Sequence, residues 1–150
     1  MRAVIQRVSS ASVSAGNRCL SEIGRGLVIL VGIEEEDSEV DAGWLAAKIV
    51  QLRIFDDNNG VMNLPVTDAA GSIMVISQFT LHAKTKKGNR PSYIKAARPE
   101  KAKPLYEFFV NKITELTGRE TATGEFGAMM DVALVNNGPV TIIIDTKEKE

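Results

Sequence analysis

Residues 26–33 read Gly26-Leu27-Val28-Ile29-Leu30-Val31-Gly32-Ile33. An unbroken apolar run bounded by glycines has no polar face to offer water, which predicts a central strand buried on both sides. Upstream, Arg2 to Val13 is rich in Val, Ile and Ser with partial alternation and reads as a strand. Ala15-Gly16-Asn17 is a turn signal, followed by a short returning strand from Cys19 to Ile23. Downstream, the acidic run Glu34 to Asp41 marks a loop and a helix start, since carboxylates favour the positive end of a helix. A helix is expected over about Ser38 to Leu52, with Val40, Trp44, Ala47, Leu45, Ile49 and Leu52 at helical spacing. Ser72 to Leu81 reads as a second core strand that turns polar toward its end. A second helix runs from Pro99 or Lys103 to Thr117, anchored by Leu105, Phe108, Phe109, Ile113 and Leu116. Pro104 is expected in its first turn and Gly118 at its cap. Met129–Asn136 and Val140–Asp145 are β-rich runs joined by Asn137-Gly138-Pro139, a hairpin signal. Strands cluster at both ends of the chain around two helices. The expected fold is α+β: a single domain of largely antiparallel, barrel-like sheets with two main helices packed against them.

The chain has 150 residues, 44% of them hydrophobic and 25% charged, which suits one domain over 1–150. A lone cysteine, Cys19, cannot form an internal disulfide, and one histidine, His82, leaves too few soft ligands for a zinc centre. No metal and no cofactor is expected. No apolar run approaches the ~20 residues that cross a bilayer, and the N-terminus meets charge again too soon for a signal peptide. No membrane partner and a cytoplasmic location are the expectation. The net charge of −1 hides a basic segment from Lys84 to Lys103, which holds eight cationic residues and one acid, Glu100. Such a segment is either a solvated loop or a landing site for a polyanion on an otherwise acidic body.

Conventional catalytic apparatus is thin. On an extended strand Ser77 and His82 point to opposite faces, while Thr80 and His82 share one without the geometry of nucleophile and base. A histidine beside a basic loop is expected at the surface. Two segments stand out nonetheless. Ser77-Gln78-Phe79-Thr80 presents hydroxyl, amide and ring where a buried strand ends, and Asn136-Asn137-Gly138-Pro139-Val140-Thr141 places proline directly after the turn glycine.

At these two segments the sequence resembles the D-aminoacyl-tRNA deacylase family. The matches are Ser77-Gln78-Phe79-Thr80-Leu81 and Asn137-Gly138-Pro139-Val140-Thr141, supported by Met1 to Val8 and by Phe126-Gly127-Ala128-Met129. They are spread over essentially the whole chain. The resemblance implies hydrolysis of the ester between a D-amino acid and tRNA by a homodimer with active sites at its interface. It implies a cis Gly138–Pro139 bond that enters the other subunit's pocket and turns backbone carbonyls toward the substrate Cα. An L side chain would collide with that wall, whereas a D side chain points away, and glycine would be admitted. By the same resemblance Arg7 holds the Gly-Pro loop, with Met129 and Asn137 in support.

An aminoacyl ester is already labile, so positioning, oxyanion stabilisation and water suffice. Backbone N–H groups around Gln78, Phe79 and Thr80 are the candidate oxyanion site, with the ribose 2′-hydroxyl assisting. Thr80 as a covalent nucleophile is the family's other mechanism. Lys84, Lys86, Lys87 and Arg90 are the candidate grips on aminoacyl-tRNA phosphates. Two other readings remain open: a non-catalytic nucleic-acid-binding module using the basic loop, and an esterase on small acyl substrates.

Overall fold

A computed structural model describes residues 1–150. The central run forms β3 (Gly26–Gly32), which follows β1 (Arg2–Ala15) and β2 (Arg18–Ile23). Next come α1 (Glu39–Gln51), β4 (Phe55–Asp56), β5 (Met62–Leu64) and β6 (Ser72–Ser77). A single 3-10 turn spans Phe79–His82, and α2 (Pro99–Thr117), β7 (Ala122–Thr123) and β8 (Asp131–Asp145) complete the chain. These eight strands and two helices make an α+β fold.

The long first strand organises the sheet. Its residues 2–8 pair with β3 and its residues 11–15 with β2, while β8 runs antiparallel along its other edge. Beyond β3 the sheet turns parallel, since β6 pairs parallel with β3 and β7 parallel with β6. The sheet is therefore mixed, because the chain returns through α1 between β3 and β6 and through α2 between β6 and β7. Curling brings β2 against β7, where the Ser21 hydroxyl donates to the Thr123 carbonyl at 2.7 Å, and gives the sheet its nearly closed, barrel-like outline.

Both helices lie on one face of this sheet and share a core of 23 buried residues. In it Leu45, Ile49, Phe109 and Ile113 are fully enclosed with Ala3, Ile5, Leu27 and Ile29. Burial of each large side chain contributes about 2 kcal/mol. The inner face of the curled sheet encloses a smaller cluster of seven, including Val8, Val28, Met74 and Ile76. Tyr106 ties α2 to β6 by donating its hydroxyl to the Val75 carbonyl at 2.9 Å, and burial pushes that phenol up to about 12. At the start of α1, Asp41 accepts the Ser38 backbone N–H at 3.0 Å, so the acidic run does begin a helix.

Four expectations are corrected. Val40 and Leu116 are exposed, because the helices turn Ala42, Ala46 and Tyr106 inward beside their large anchors. Pro104 is the sixth residue of α2, in its second turn, where the N–H it lacks would have faced the Glu100 carbonyl. The strand from Ser72 stops at Ser77. Finally, Asn137-Gly138-Pro139 is not a hairpin turn: both flanking runs belong to the single strand β8 and pair with β1 rather than with each other. A partner as long as β1 accommodates both halves, and the proline, without an N–H for the ladder, sits where the ladder is interrupted.

Candidate active site

The end of β6 builds the first half of the site. Ser77 is the last residue in register, opposite Val31, and the Gln78 N–H bonds the Val31 carbonyl at 2.8 Å. There the chain leaves the sheet, and the Gln78 side-chain amide donates to the Thr80 hydroxyl at 2.6 Å, a local bond that competes with strand continuation. The turn's internal backbone bonds begin with Leu81 N–H to the Gln78 carbonyl, followed by Ala83 N–H to Thr80. The amides of Phe79 and Thr80 precede the first of these bonds, as the opening N–H groups of any helical turn do. Gly32 lets the turn sit this close to β3. A Cβ there would lie 2.9 Å from the Gln78 carbonyl oxygen and 3.0 Å from both Leu81 Cβ and His82 Cδ2.

The turn also reverses the expectation for His82. It is buried, its Nε2 has no hydrogen-bond partner, and its Nδ1 lies 3.8 Å from the Glu34 carboxylate. The helical turn, not an extended strand, sets its direction, so the strand-face relation between Thr80 and His82 does not apply. The hydrogen bond found on the Thr80 hydroxyl comes from a neutral amide, not from a base.

Above the turn lies a mostly apolar cavity of ≈ 650 Å³. Its walls include Ser77, Gln78 and Phe79, the start of α2 at Arg98–Pro99, and the segment Phe126–Met130. Met129 stands at this wall almost fully exposed. The candidate cations Lys84, Lys86, Lys87 and Arg90 are all exposed on the neighbouring loop and form no ion pair.

The second motif is elsewhere. Asn136 pairs with Val8 and Thr141 with Gln6, so Asn137, Gly138, Pro139 and Val140 bulge out opposite Arg7 alone. The Gly138–Pro139 bond is cis, and Gly138 has a φ of 128° that favours glycine. Arg7 is buried. Its Nε donates to the Asn137 carbonyl at 3.2 Å and its Nη1 to the Ile54 carbonyl at 2.8 Å and to Asp56 at 3.3 Å. Asn136 closes the base of the bulge, accepting the Val140 N–H at 3.1 Å and donating to the Thr141 hydroxyl at 2.9 Å.

Within one chain the two motifs do not meet. Arg7 pairs with Leu27 near the start of β3, whereas Gln78 bonds Val31 near its end, about 13 Å along the strand at 3.3 Å per residue. Gly138, Pro139 and Arg7 are absent from the cavity wall. Sequence reasoning missed Asp56, Ile54 and Asn136 as supports of the bulge. The Asn-Asn pair before Gly138 was the available signal, because asparagine side chains bond nearby backbone.

These features define an α+β protein in which a buried strand ends at the wall of a mostly apolar cavity, beside a loop of unpaired cations. Residues 4–145 match the family model described as D-Tyr-tRNA(Tyr) deacylase. The chain belongs to that family and is an enzyme. It is 64% identical over 150 residues to a protein of Bacteroides fragilis named D-aminoacyl-tRNA deacylase, covering all of both chains. A protein of the same name from Flavobacterium psychrophilum is 58% identical, again over all of both chains. Among solved structures, one called c-Myc DNA Unwinding Element Binding Protein superposes with a TM-score of 0.91 at 38% identity, over 97% of this chain and 98% of that one. No helix of the protein is long and apolar enough to cross a membrane.

Proposed function

We propose that the protein hydrolyses the ester bond of D-aminoacyl-tRNA, releasing free D-amino acid and tRNA, and admits glycine while rejecting L-amino acids. The observation that carries this reading is the 3-10 turn that starts at the cavity wall with Phe79, where the Phe79 and Thr80 amides precede the turn's bond from Leu81 N–H to the Gln78 carbonyl. Amides fixed in this way can meet the oxyanion that forms when water attacks the ester carbonyl, a contribution of about 10²–10³ in rate per donor. The Thr80 hydroxyl, held by a neutral amide, orients rather than attacks, and the ribose 2′-hydroxyl beside the ester assists the proton transfer. Phe79 lines the cavity for the terminal adenosine or the amino acid. Lys84, Lys86, Lys87 and Arg90 hold tRNA phosphates, which makes binding fall steeply with salt.

The active unit is a homodimer in which Gly138 and Pro139 of one copy complete the cavity of the other. Three observations support it: the motifs lie apart in one chain, the bulge is exposed, and β8 has a free edge. That edge strand is 15 residues long, pairs only with β1, and exposes Val135 and Ile143. A long unpaired edge with apolar side chains calls for a cover. Arg7 fixes the bulge so that its carbonyls form a wall against an L side chain.

The structural relative called c-Myc DNA Unwinding Element Binding Protein favours a second reading, in which the basic loop binds nucleic acid without catalysis. Incubation with matched D- and L-aminoacyl-tRNA separates the two. Release of the D-amino acid alone supports the deacylase; binding of both without release, or equal release of both, overturns it.

A further inference from the structure

The chain has eight aromatic residues, and only two of them are exposed: Phe79 at 57% and Tyr93 at 40%. They touch each other, with ring centroids 5.2 Å apart and ring planes at 76°. Ile94, next to them in sequence, is 79% exposed. The backbone below Tyr93 is fixed on both sides. Lys84 and Ser92 exchange N–H bonds at 2.8 and 3.0 Å, and the Tyr93 carbonyl accepts the Ala96 N–H at 3.0 Å. An apolar step held this firmly in water needs an occupant. Its surroundings choose one. Lys84, Lys86, Lys87, Arg90 and Lys95 flank it and pair with no carboxylate. A second copy would bring the same cations against these, and lysines are depleted from protein interfaces. Cations interleaved with aromatic rings suit a single-stranded nucleic acid, which offers phosphates and π-faces together.

We infer that Tyr93 and Ile94 form a stacking step for the base that precedes the ester-bearing nucleotide in the single-stranded 3′ end of the substrate. The inference rests on the deacylase reading and extends it beyond the terminal adenosine. Because the Tyr93 ring stands nearly perpendicular to Phe79, two bases lying on these rings cannot continue one stack. The strand turns sharply between them at the cavity, whose wall Phe79 and Tyr93 both line.

The test compares a D-aminoacyl ester of adenosine with the same amino acid on CpCpA, at 0.5 M salt so that phosphate contacts are screened. For the unaltered protein the trinucleotide ester has a KM about tenfold lower, within the about 5- to 150-fold that one base-stacking ring supplies. Tyr93→Ala brings the ratio of the two KM values close to one, Tyr93→Phe keeps it, and Ile94→Ser reduces it partway. An unchanged ratio in Tyr93→Ala overturns the inference, as do equal KM values for the unaltered protein. If Tyr93→Ala or Ile94→Ser instead converts a dimer to monomers in sedimentation, the patch is a contact between copies and the inference fails. Hydrolysis of neither ester by the unaltered protein overturns the inference, and if D-aminoacyl-tRNA is also left intact the deacylase reading falls with it.

Discussion

The turn at 77–82 and the bulge at 137–140 are both short irregular segments at interruptions of the sheet, yet they are held in opposite ways. The turn presses inward: the Gln78 carbonyl, Leu81 and His82 crowd against Gly32, and Ser77, Gln78 and Phe79 line a cavity of the same chain. The bulge stands outward on one guanidinium and one asparagine amide, and Gly138 and Pro139 take no part in the wall of that cavity. One region is a receptacle and the other a projection. If the two are halves of one site, as proposed, the difference teaches that a chain can carry both without assembling them. Arg2 links the turn to the far end of β8, donating to the Leu81 carbonyl at 2.8 Å and pairing with Asp145 at 2.9 Å.

The largest effect comes from disabling each region separately. Phe79→Pro removes an amide at the first position of the turn, where proline is tolerated, and lowers kcat for D-aminoacyl-tRNA by about 10²–10³. Gly138→Ala places a Cβ 2.8 Å from Val140 Cγ2 and 3.1 Å from Arg7 Nη2, and inactivates the bulge to a similar extent. Mixing the two inactive chains after partial unfolding restores about a quarter of the unaltered rate, because half the dimers then hold one intact site. No recovery on mixing would break the comparison.

Lys86→Glu combined with Lys87→Glu weakens aminoacyl-tRNA binding about tenfold or more at low salt and flattens the salt dependence. Unchanged affinity makes the loop a solvated face. Tyr106→Phe, which removes the tie between α2 and β6 without emptying the core, costs about 1 kcal/mol and lowers Tm by a few degrees. Thr80→Val changes kcat by about threefold or less if amides stabilise the oxyanion; loss of all turnover in a folded variant restores the nucleophile.

The smallest effect concerns the link through Asp145. Burial opposes its ionisation, but the Lys147 N–H and the Arg2 guanidinium outweigh that and hold its carboxyl below the usual range. A carboxyl lowered in the folded state stabilises the protein above its unfolded value of about 3.9, and that contribution fades as pH falls from there through the folded value. Thermal melts of Asp145→Asn therefore lie slightly below those of the unaltered protein at neutral pH and converge with them in strong acid.

Much of the architecture was legible because it follows from period and punctuation: the glycine-bounded run of β3, the acidic start of α1, the stripe Leu105, Phe109, Ile113. The failures came where partner choice, not local preference, decided. Asn137-Gly138 carries a hairpin signal, and nothing local reveals that β1 is long enough to pair with both flanking strands. His82 lies beside a charged loop in sequence, yet the turn packs it against Gly32 and Glu34. The candidate site was visible as motifs through resemblance, whereas the placement of the Phe79 and Thr80 amides depends on where the strand stops and the turn's first bond forms. Tyr93 gave no sign, since exposure of one ring among eight cannot be read from composition.

Asn136 closes its loop with atoms drawn from residues 136, 140 and 141 alone, so the projection has its final shape before any second copy arrives. Under the proposed arrangement the encounter is between preformed solids, and little conformational freedom remains to be surrendered on contact. Turnover then tracks the pairing equilibrium: dilution below the dissociation constant of the pair switches off proofreading while every individual molecule stays folded.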